Sequence, residues 1–138
     1  MFFPKKVKYR KWQTMRRNAK KTWIETRGTE LAFGSFGLKS LDSARIRSNQ
    51  LESARKVISR QAGKAGKVWI RVFPDMPYTM KGAEVGMGNG KGDPQGYCVQ
   101  IKPGRILFEV DGLDEATAKE ALRKAGSKMP VRTKIIAR

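Results

Sequence analysis

The sequence lacks the residues on which most catalytic and metal sites depend. Histidine is absent from all 138 residues, and the single cysteine is Cys98. The absence of histidine excludes Ser-His and Cys-His nucleophilic pairs and histidine-ligated metals. One cysteine excludes an internal disulfide and a multi-cysteine zinc site, and it is typical of a protein in a reducing compartment. We therefore expect no catalytic residues, no metal site and no cofactor.

Long apolar runs are also absent. No segment approaches the roughly 20 apolar residues of a membrane span. The N-terminal stretch MFFPKKVKYRK is basic but lacks the apolar run of a secretory signal. No serine precedes Ser35, whereas organellar transit peptides are rich in serine. These features predict that the N-terminal stretch belongs to the mature chain. We expect a cytoplasmic protein, with an organelle as the open alternative.

Acidic residues are scarce relative to basic ones. The chain has 12 aspartates and glutamates against 30 lysines and arginines, which gives a net charge of +18. A globular chain this basic repels itself, and binding to a polyanion relieves that repulsion. Nucleic acid is the leading candidate partner, and an anionic membrane surface is the second.

Half of the net charge lies in residues 1–28, which hold ten basic residues and one acid. Tyr9, Trp12 and Trp23 are interleaved among the cations. Such a segment cannot bury enough apolar surface to fold alone, so we interpret it as an extended arm. Its cations would neutralise RNA phosphates and its rings would stack on bases or sugars. The alternative is a solubilising tail whose two tryptophans pack back on the domain. The arm cations that we predict to bind RNA are Lys5, Lys6, Lys8, Arg10, Lys11, Arg16 and Arg17.

Residues 29–138 are predicted to form a single domain. The densest apolar segment, KVWIRVFPD at residues 67–75, predicts a strand at the centre of the core because it is apolar on both faces. Pro74 ends this strand, and residues 75–77 are interpreted as a turn. A shorter strand is predicted within residues 29–38, with Phe33 and Phe36 in the core.

Two helices are predicted from apolar residues at three-to-four spacing. The first begins at Ser48 or Asn49, where Asn49 and Glu52 fit a capping box, and Gly63 and Gly66 close it. The second runs from about Asp114, its cap, to Lys124. The predicted apolar stripes are Leu51, Ala54, Ile58 and Ala62 in the first helix, and Ala118, Ala121, Leu122 and Ala125 in the second.

Strands at residues 97–101 and 105–110 are predicted to form a hairpin, because Pro103 and Gly104 suit the centre of a type II turn. Cys98 in the first of them is interpreted as a small buried hydrophobe. A last strand is predicted at residues 131–137. The fold class is therefore α+β: a compact two-layer sandwich with a mostly antiparallel sheet and two helices, an extended basic N-terminal arm and a Gly-rich loop.

The Gly-rich loop, residues 82–96, contains glycines alternating with Met87, Asn89 and Lys91. It does not fit a P-loop, because Val85 and Gly92 occupy the places of the required glycine and hydroxyl residue, and no G-x-G-x-x-G register fits either. We interpret it as a flexible loop that approaches a polyanion closely; the alternative is a loop without a role. Its predicted contact residues are Met87, Gly88, Asn89, Gly90, Lys91 and Gly92.

Several motifs resemble one family in order and content. They are FGSFGLK at residues 33–39, GKVWIRVFPD at 66–75, MGNGKG at 87–92, PG at 103–104 and DG at 111–112. Together they resemble bacterial large-subunit ribosomal protein sixteen, over nearly the whole chain. The resemblance implies a compact α+β ribosomal protein that binds large-subunit ribosomal RNA near the A site, contacts transfer RNA and takes part in late subunit assembly.

The resemblance also implies that the partners are large-subunit ribosomal RNA, A-site transfer RNA and neighbouring ribosomal proteins, with no membrane and no homo-oligomer. Basic residues off the stripe of the first helix are most often a solvated face, but the net charge of +18 favours an RNA-facing side here. The RNA-binding residues predicted on the domain are Arg55, Arg60 and Arg71.

The sequence departs from the family pattern at three places. Gly86 stands where the family has an arginine before the glycine-rich motif, so any contact or modification that depends on that side chain is absent. Gly63 and Lys64 occupy two positions that are usually both basic. The arm is several residues longer, with KWQTMRRNAKK in place of a shorter run, so the family indicates little about residues 12–28.

Two other functions compete with a ribosomal role. A free-standing basic architectural protein of nucleic acid has a similar charge. An enzyme of phosphoryl transfer or nucleotide binding is disfavoured, because Asp75, Glu84 and Asp93 near the loop are isolated acids in predicted turns.

Overall fold

The computed structural model describes residues 2–14, 18, 20–21 and 23–138, so the predicted cations Arg16 and Arg17 lie outside the described residues. The described chain forms seven strands and two helices, which confirms the predicted α+β class. The elements are β1 (Phe36–Ser40), β2 (Ala44–Arg47), α1 (Ser48–Ala62), β3 (Lys67–Ile70), β4 (Met76–Met80), β5 (Asp93–Ile101), β6 (Ile106–Asp111), α2 (Glu115–Gly126) and β7 (Thr133–Ala137).

Two antiparallel sheets form the framework. The first has four strands in the order β3-β6-β1-β7, and the second has three in the order β2-β5-β4. α1 and α2 pack against each other, and they contact β3, β1 and β7 of the four-stranded sheet. Because α1 also contacts β2 and β5, one hydrophobic core includes residues of both sheets and both helices.

The strand at the centre of the core is β6, and the prediction that residues 67–75 occupy it is wrong. Residues 106–110 are all buried, whereas β3 ends at Ile70, lies at the edge of its sheet and pairs with β6 alone. Phe73, beyond the strand, is half-exposed. The sequence does not indicate that β6 is central, because Glu109 interrupts its run of apolar residues. In the structure, this carboxylate is fully buried.

Residues 31–33 do not form the strand that their alternation predicts. Strand pairing begins at Phe36, and Phe33, predicted to be in the core, is 55% exposed. The backbone N–H groups of residues 32–34 donate to the Glu109 carboxylate instead of to a neighbouring strand. Phe36 packs against the core as predicted.

The two helices follow the predicted stripes, and all eight stripe residues are buried. The N-cap of α1 is Arg47, whereas Ser48 or Asn49 was predicted, and the Arg47 N–H donates to Gln50 Oε1 at 2.9 Å. The capping box of Asn49 with Glu52 is therefore wrong. Asp114 caps α2 as predicted by accepting a hydrogen bond from Thr117 N–H at 3.1 Å, and the helix continues past Lys124 to Gly126.

The turn at residues 102–104 is present, but the hairpin predicted around it is wrong. Arg105 N–H donates to the Lys102 carbonyl at 3.3 Å, and Gly104 has the positive φ of +100° that a type II turn requires. However, β5 pairs with β2 and β4, whereas β6 pairs with β1 and β3. Within the turn, Gly104 N–H donates to the Ser40 carbonyl at 2.7 Å, and Ser40 N–H donates to the Arg105 carbonyl at 2.9 Å, so the chain passes to the other sheet. A tight turn reverses the direction of the chain locally. The sheet to which each flanking strand belongs depends on its pairing with segments distant in the sequence.

Two strands are absent from the sequence-based prediction. β2 has only four residues, and β4 contains Pro77, which predicted a turn. Pro77 is accommodated because β4 is an edge strand. Cys98 is buried in β5, as predicted, and the last strand begins at Thr133 rather than at Val131.

Candidate nucleic-acid interface

The described residues at both ends of the arm contact the domain. At its beginning, Phe2 packs against the hydrophobic core, and the Phe2 carbonyl accepts a hydrogen bond from Ser48 Oγ at 2.9 Å. At its end, the Gly28 carbonyl accepts a hydrogen bond from Ile106 N–H at 2.8 Å. The domain therefore holds the arm at both ends.

Most of the described arm cations point into solvent. Lys11 is half-buried, and its Nζ donates to the Lys91 carbonyl at 3.1 Å, which joins the arm to the Gly-rich loop. In the described part of the chain, none of the five predicted arm cations forms an ion pair with an acid. We call these cations and the loop the arm–loop surface; its cations are Lys5, Lys6, Lys8, Arg10, Lys11, Lys81 and Lys91.

The loop between β4 and β5 comprises residues 81–92, so residues 93–96 of the predicted loop belong to β5. Residues 81–91 are all exposed, and Met87 is 100% exposed. Gly88, Asn89 and Gly90 have positive φ angles of 94°, 58° and 86°, a conformation that glycine and asparagine tolerate best. Lys81 Nζ donates to the Gly88 carbonyl. The backbone of the loop is therefore exposed, and a Cβ at Gly86, Gly88 or Gly90 would meet nothing within 4 Å.

Arg71, a predicted RNA-binding residue, is engaged within the domain. Its guanidinium pairs with the buried carboxylate of Glu109 and lies 5.3 Å from the centre of the Phe33 ring. Phe33 in turn stacks on Trp69, with ring centres 5.9 Å apart. Glu109 also accepts backbone hydrogen bonds of 2.7 to 3.1 Å from residues 32–34. The charge of Arg71 is therefore neutralised by Glu109.

The two predicted RNA-binding arginines of α1 differ in their contacts. Arg55 Nη2 lies 2.6 Å from Glu52 Oε1, and the hydrogen bond from Arg55 holds the pKa of that carboxyl below its ordinary value. Arg60 is exposed. In the described part of the chain, no hydrogen bond or ion pair joins either arginine to the arm or the loop.

A further set of cations on the three-stranded sheet was not predicted. Arg45 and Arg47 of β2 are exposed, and the Arg47 guanidinium lies 4.9 Å from the centre of the Tyr78 ring in β4. Lys102 Nζ lies 5.8 Å from the centre of the Trp23 ring of the arm. The alternation in ARIR, residues 44–47, is the sequence signal that could have identified this face as a strand with a basic side.

These features define a class of protein. The described residues contain no group of three or more acidic or cysteine side chains that could hold a metal ion. In the part of the chain that the structure describes, no helix is long and apolar enough to cross a membrane. An α+β domain with a basic arm fixed beside an exposed Gly-rich loop belongs to the class of basic proteins whose surfaces suit a polyanion.

Comparison with known proteins gives the family. The profile described as Ribosomal protein L16p/L10e matches residues 4–136. The large ribosomal subunit protein uL16 of Albidiferax ferrireducens is 49% identical over 138 residues, which cover all of this chain and 97% of that protein. The proteins of the same name from Delftia acidovorans and Rhodopseudomonas palustris are 49% and 46% identical, over all of this chain and 97% and 98% of theirs.

The chain belongs to the ribosomal protein L16p/L10e family. This confirms the resemblance derived from its motifs. Because the family consists of structural ribosomal proteins, membership also shows that the chain is a structural protein and not an enzyme.

Proposed function

We propose that this chain is a structural constituent of the large ribosomal subunit, bound in the cytoplasm to large-subunit ribosomal RNA and to neighbouring ribosomal proteins. Its relatives carry the name large ribosomal subunit protein uL16. The observation that supports RNA binding most directly is the arm–loop surface, where the hydrogen bond from Lys11 to Lys91 unites two cationic segments. Cations without acidic partners are available to neutralise phosphates.

We further propose different roles for the arm, the domain and the loop. Residues 1–28 act as the RNA-binding extension, and residues 29–138 form one domain that supplies shape. The loop, from Met87 to Gly92, contacts ribosomal RNA or transfer RNA near the A site, and the chain supports late subunit assembly. Arg60 adds a phosphate contact on α1, Arg55 does so while remaining paired with Glu52, and Arg71 mainly anchors Glu109.

Salt dependence tests the binding of phosphates. If about ten phosphates are neutralised, the logarithm of the affinity falls with the logarithm of salt concentration with a slope on the order of −7 to −9. Filter binding to large-subunit RNA fragments at several salt concentrations measures this slope. A slope shallower than about −3 contradicts the proposal, because too few counterions would be released.

Sucrose-gradient sedimentation separates the proposal from a free-standing architectural role. We expect the chain to sediment with the large subunit in a cell extract. Sedimentation with the nucleoid would favour an architectural protein, and migration of the chain alone would refute both functions.

A further inference from the structure

A cavity of 560 Å³ lies between the arm and one end of the three-stranded sheet, where β2 and β4 begin and β5 ends. Its described lining includes Trp12 and Trp23 from the arm, Arg45 and Gln100 from the sheet, and Lys102 from the turn that follows. Pockets for small organic ligands commonly measure about 300–1,000 Å³. The space is therefore large enough for one nucleotide.

Two indole rings line this cavity and remain accessible from solvent. Trp12 is 39% exposed and Trp23 is 50% exposed. An exposed tryptophan beside an aqueous cavity offers a flat apolar face on which a nucleobase can stack. Such stacking tolerates any base, because every base has an aromatic face.

Basic side chains lie near the Trp23 ring and in the lining of the cavity. Lys102 Nζ lies 5.8 Å and Lys21 Nζ 6.0 Å from the centre of the Trp23 ring, and Arg45 lines the cavity from β2. A base that stacks on Trp23 takes the place of an ammonium over the ring, and the long, flexible lysine side chain then reaches toward the phosphate of the same nucleotide. The amide of Gln100 supplies a donor and an acceptor for the edge of a base.

We propose that this cavity binds one unstacked nucleotide of ribosomal RNA, with the base on the indole rings and the phosphate beside Lys102 and Arg45. This inference rests on the proposed function, since it identifies where an RNA-binding protein takes a base rather than a phosphate alone. Single-stranded or bulged RNA supplies such bases, because helical RNA keeps its bases stacked and paired.

Two matched oligonucleotides test the inference with the full-length chain. One probe is a fluorescently labelled heptaadenylate, and the other is a heptamer of the same backbone without bases. Fluorescence anisotropy measures the Kd of each. Because both carry the same phosphates, the ratio of the two dissociation constants isolates base stacking from charge neutralisation. We expect the heptaadenylate to bind about tenfold more tightly.

Substitutions in the cavity test whether the preference for the heptaadenylate arises there. Trp23→Ala and Trp12→Ala should each reduce the tenfold preference to about twofold or less, whereas Trp23→Phe should retain most of it. Lys102→Gln should weaken both probes equally and leave the ratio unchanged. Trp69→Phe, on the other sheet, is the matched control and should change neither Kd.

The outcomes separate this inference from the proposed function. Failure of both probes to bind would refute RNA binding by the chain. Equal binding of the two probes, or a preference that survives both alanine substitutions, would refute the cavity alone and leave the phosphate-binding arm intact. Unchanged binding of the heptamer without bases by Trp23→Ala would show that the variant keeps a functional arm.

Discussion

Glu109 connects the arm side of the molecule to the centre of the core. Burial raises the pKa of its carboxyl, but hydrogen bonds from the backbone N–H groups of Gly34, Ala32 and Phe33, and from Arg71, outweigh burial and hold the pKa below its ordinary value of 4.5. The carboxylate is fully buried and remains charged at neutral pH because its acceptor sites are satisfied. It fixes the segment that leads from the arm into β1.

We predict that Glu109→Gln destabilises the protein by about 3 kcal/mol at pH 7, because the change leaves the half-buried Arg71 without its counter-charge. Urea unfolding followed by circular dichroism measures the difference. Glu84→Gln, in the exposed loop, is the matched control and should stay within about 0.5 kcal/mol of the original protein.

The stability difference should depend on pH with a definite sign. A carboxyl whose pKa is lower in the folded state stabilises the protein above its unfolded pKa, and this contribution is lost as the pH falls toward the folded pKa. The gap between the original protein and Glu109→Gln should therefore narrow below about pH 4.5. A gap that widens on acidification would contradict the assigned ion pair.

Among the structural elements, the β4–β5 hairpin determines how the Gly-rich loop is presented. Met80 pairs with Asp93 at the base of the loop, and Gly92 is the last residue of the loop. A Cβ at Gly92 would lie 2.6 Å from the Met80 carbonyl oxygen, whereas a Cβ at Gly86 would meet nothing within 4 Å. The base of the loop is tightly packed and its middle is open.

We predict that Gly92→Ala destabilises the hairpin by about 1–3 kcal/mol through this clash. Gly86→Ala is the matched control, and it should change stability by no more than about 0.5 kcal/mol. Thermal unfolding measures both changes, and amide hydrogen exchange at Met80 locates the effect. Equal stabilities of the two variants would show that the loop base relaxes without cost.

The arm is a second element whose contribution can be measured. Deleting residues 1–28 should leave the α+β circular dichroism signal while weakening RNA binding by several kcal/mol, since the arm carries half of the net charge. The deletion should also lower the melting temperature, because it removes Phe2 from the core. Phe2→Ala in the full chain isolates this packing loss. Loss of the circular dichroism signal in the deletion would show that the arm belongs to the core.

Across the chain, the cations differ in whether an acidic side chain neutralises them. On α2, Lys119, Arg123 and Lys124 pair with glutamates of the same helix. In contrast, Lys5, Lys8 and Arg10 have no acidic partner in the described part of the chain. Two sets of three cations thus differ in whether their charge is neutralised within the chain.

We predict that replacing Lys5, Lys8 and Arg10 together by glutamine makes the salt slope of RNA binding shallower by about 3, one for each lost phosphate contact. The matched triple variant replaces Lys119, Arg123 and Lys124 by glutamine, and it should leave the slope within about 1 of the original value. Equal effects of the two triple variants would indicate that net charge alone governs binding.

The helices, the α+β class, the family and the high charge of residues 1–28 could all be predicted without the structure. The stripes of α1 and α2 were predictable because a helix repeats every 3.6 residues and each stripe is a local pattern. The arm was predictable because charge density requires no knowledge of neighbours in space.

Strand pairing and the positions of the predicted contact residues could not be predicted, because they depend on contacts between segments far apart in the chain. The turn before β6 suggested a hairpin, yet β5 and β6 belong to different sheets because sheet partners are chosen among segments distant in the chain. A glutamate such as Glu109 is expected on the surface from the sequence alone. It is buried because residues 32–34 and Arg71, distant in the chain, satisfy its carboxylate. The contact of Lys11 with Lys91 and the cavity between the arm and the sheet likewise join residues whose proximity arises only from folding.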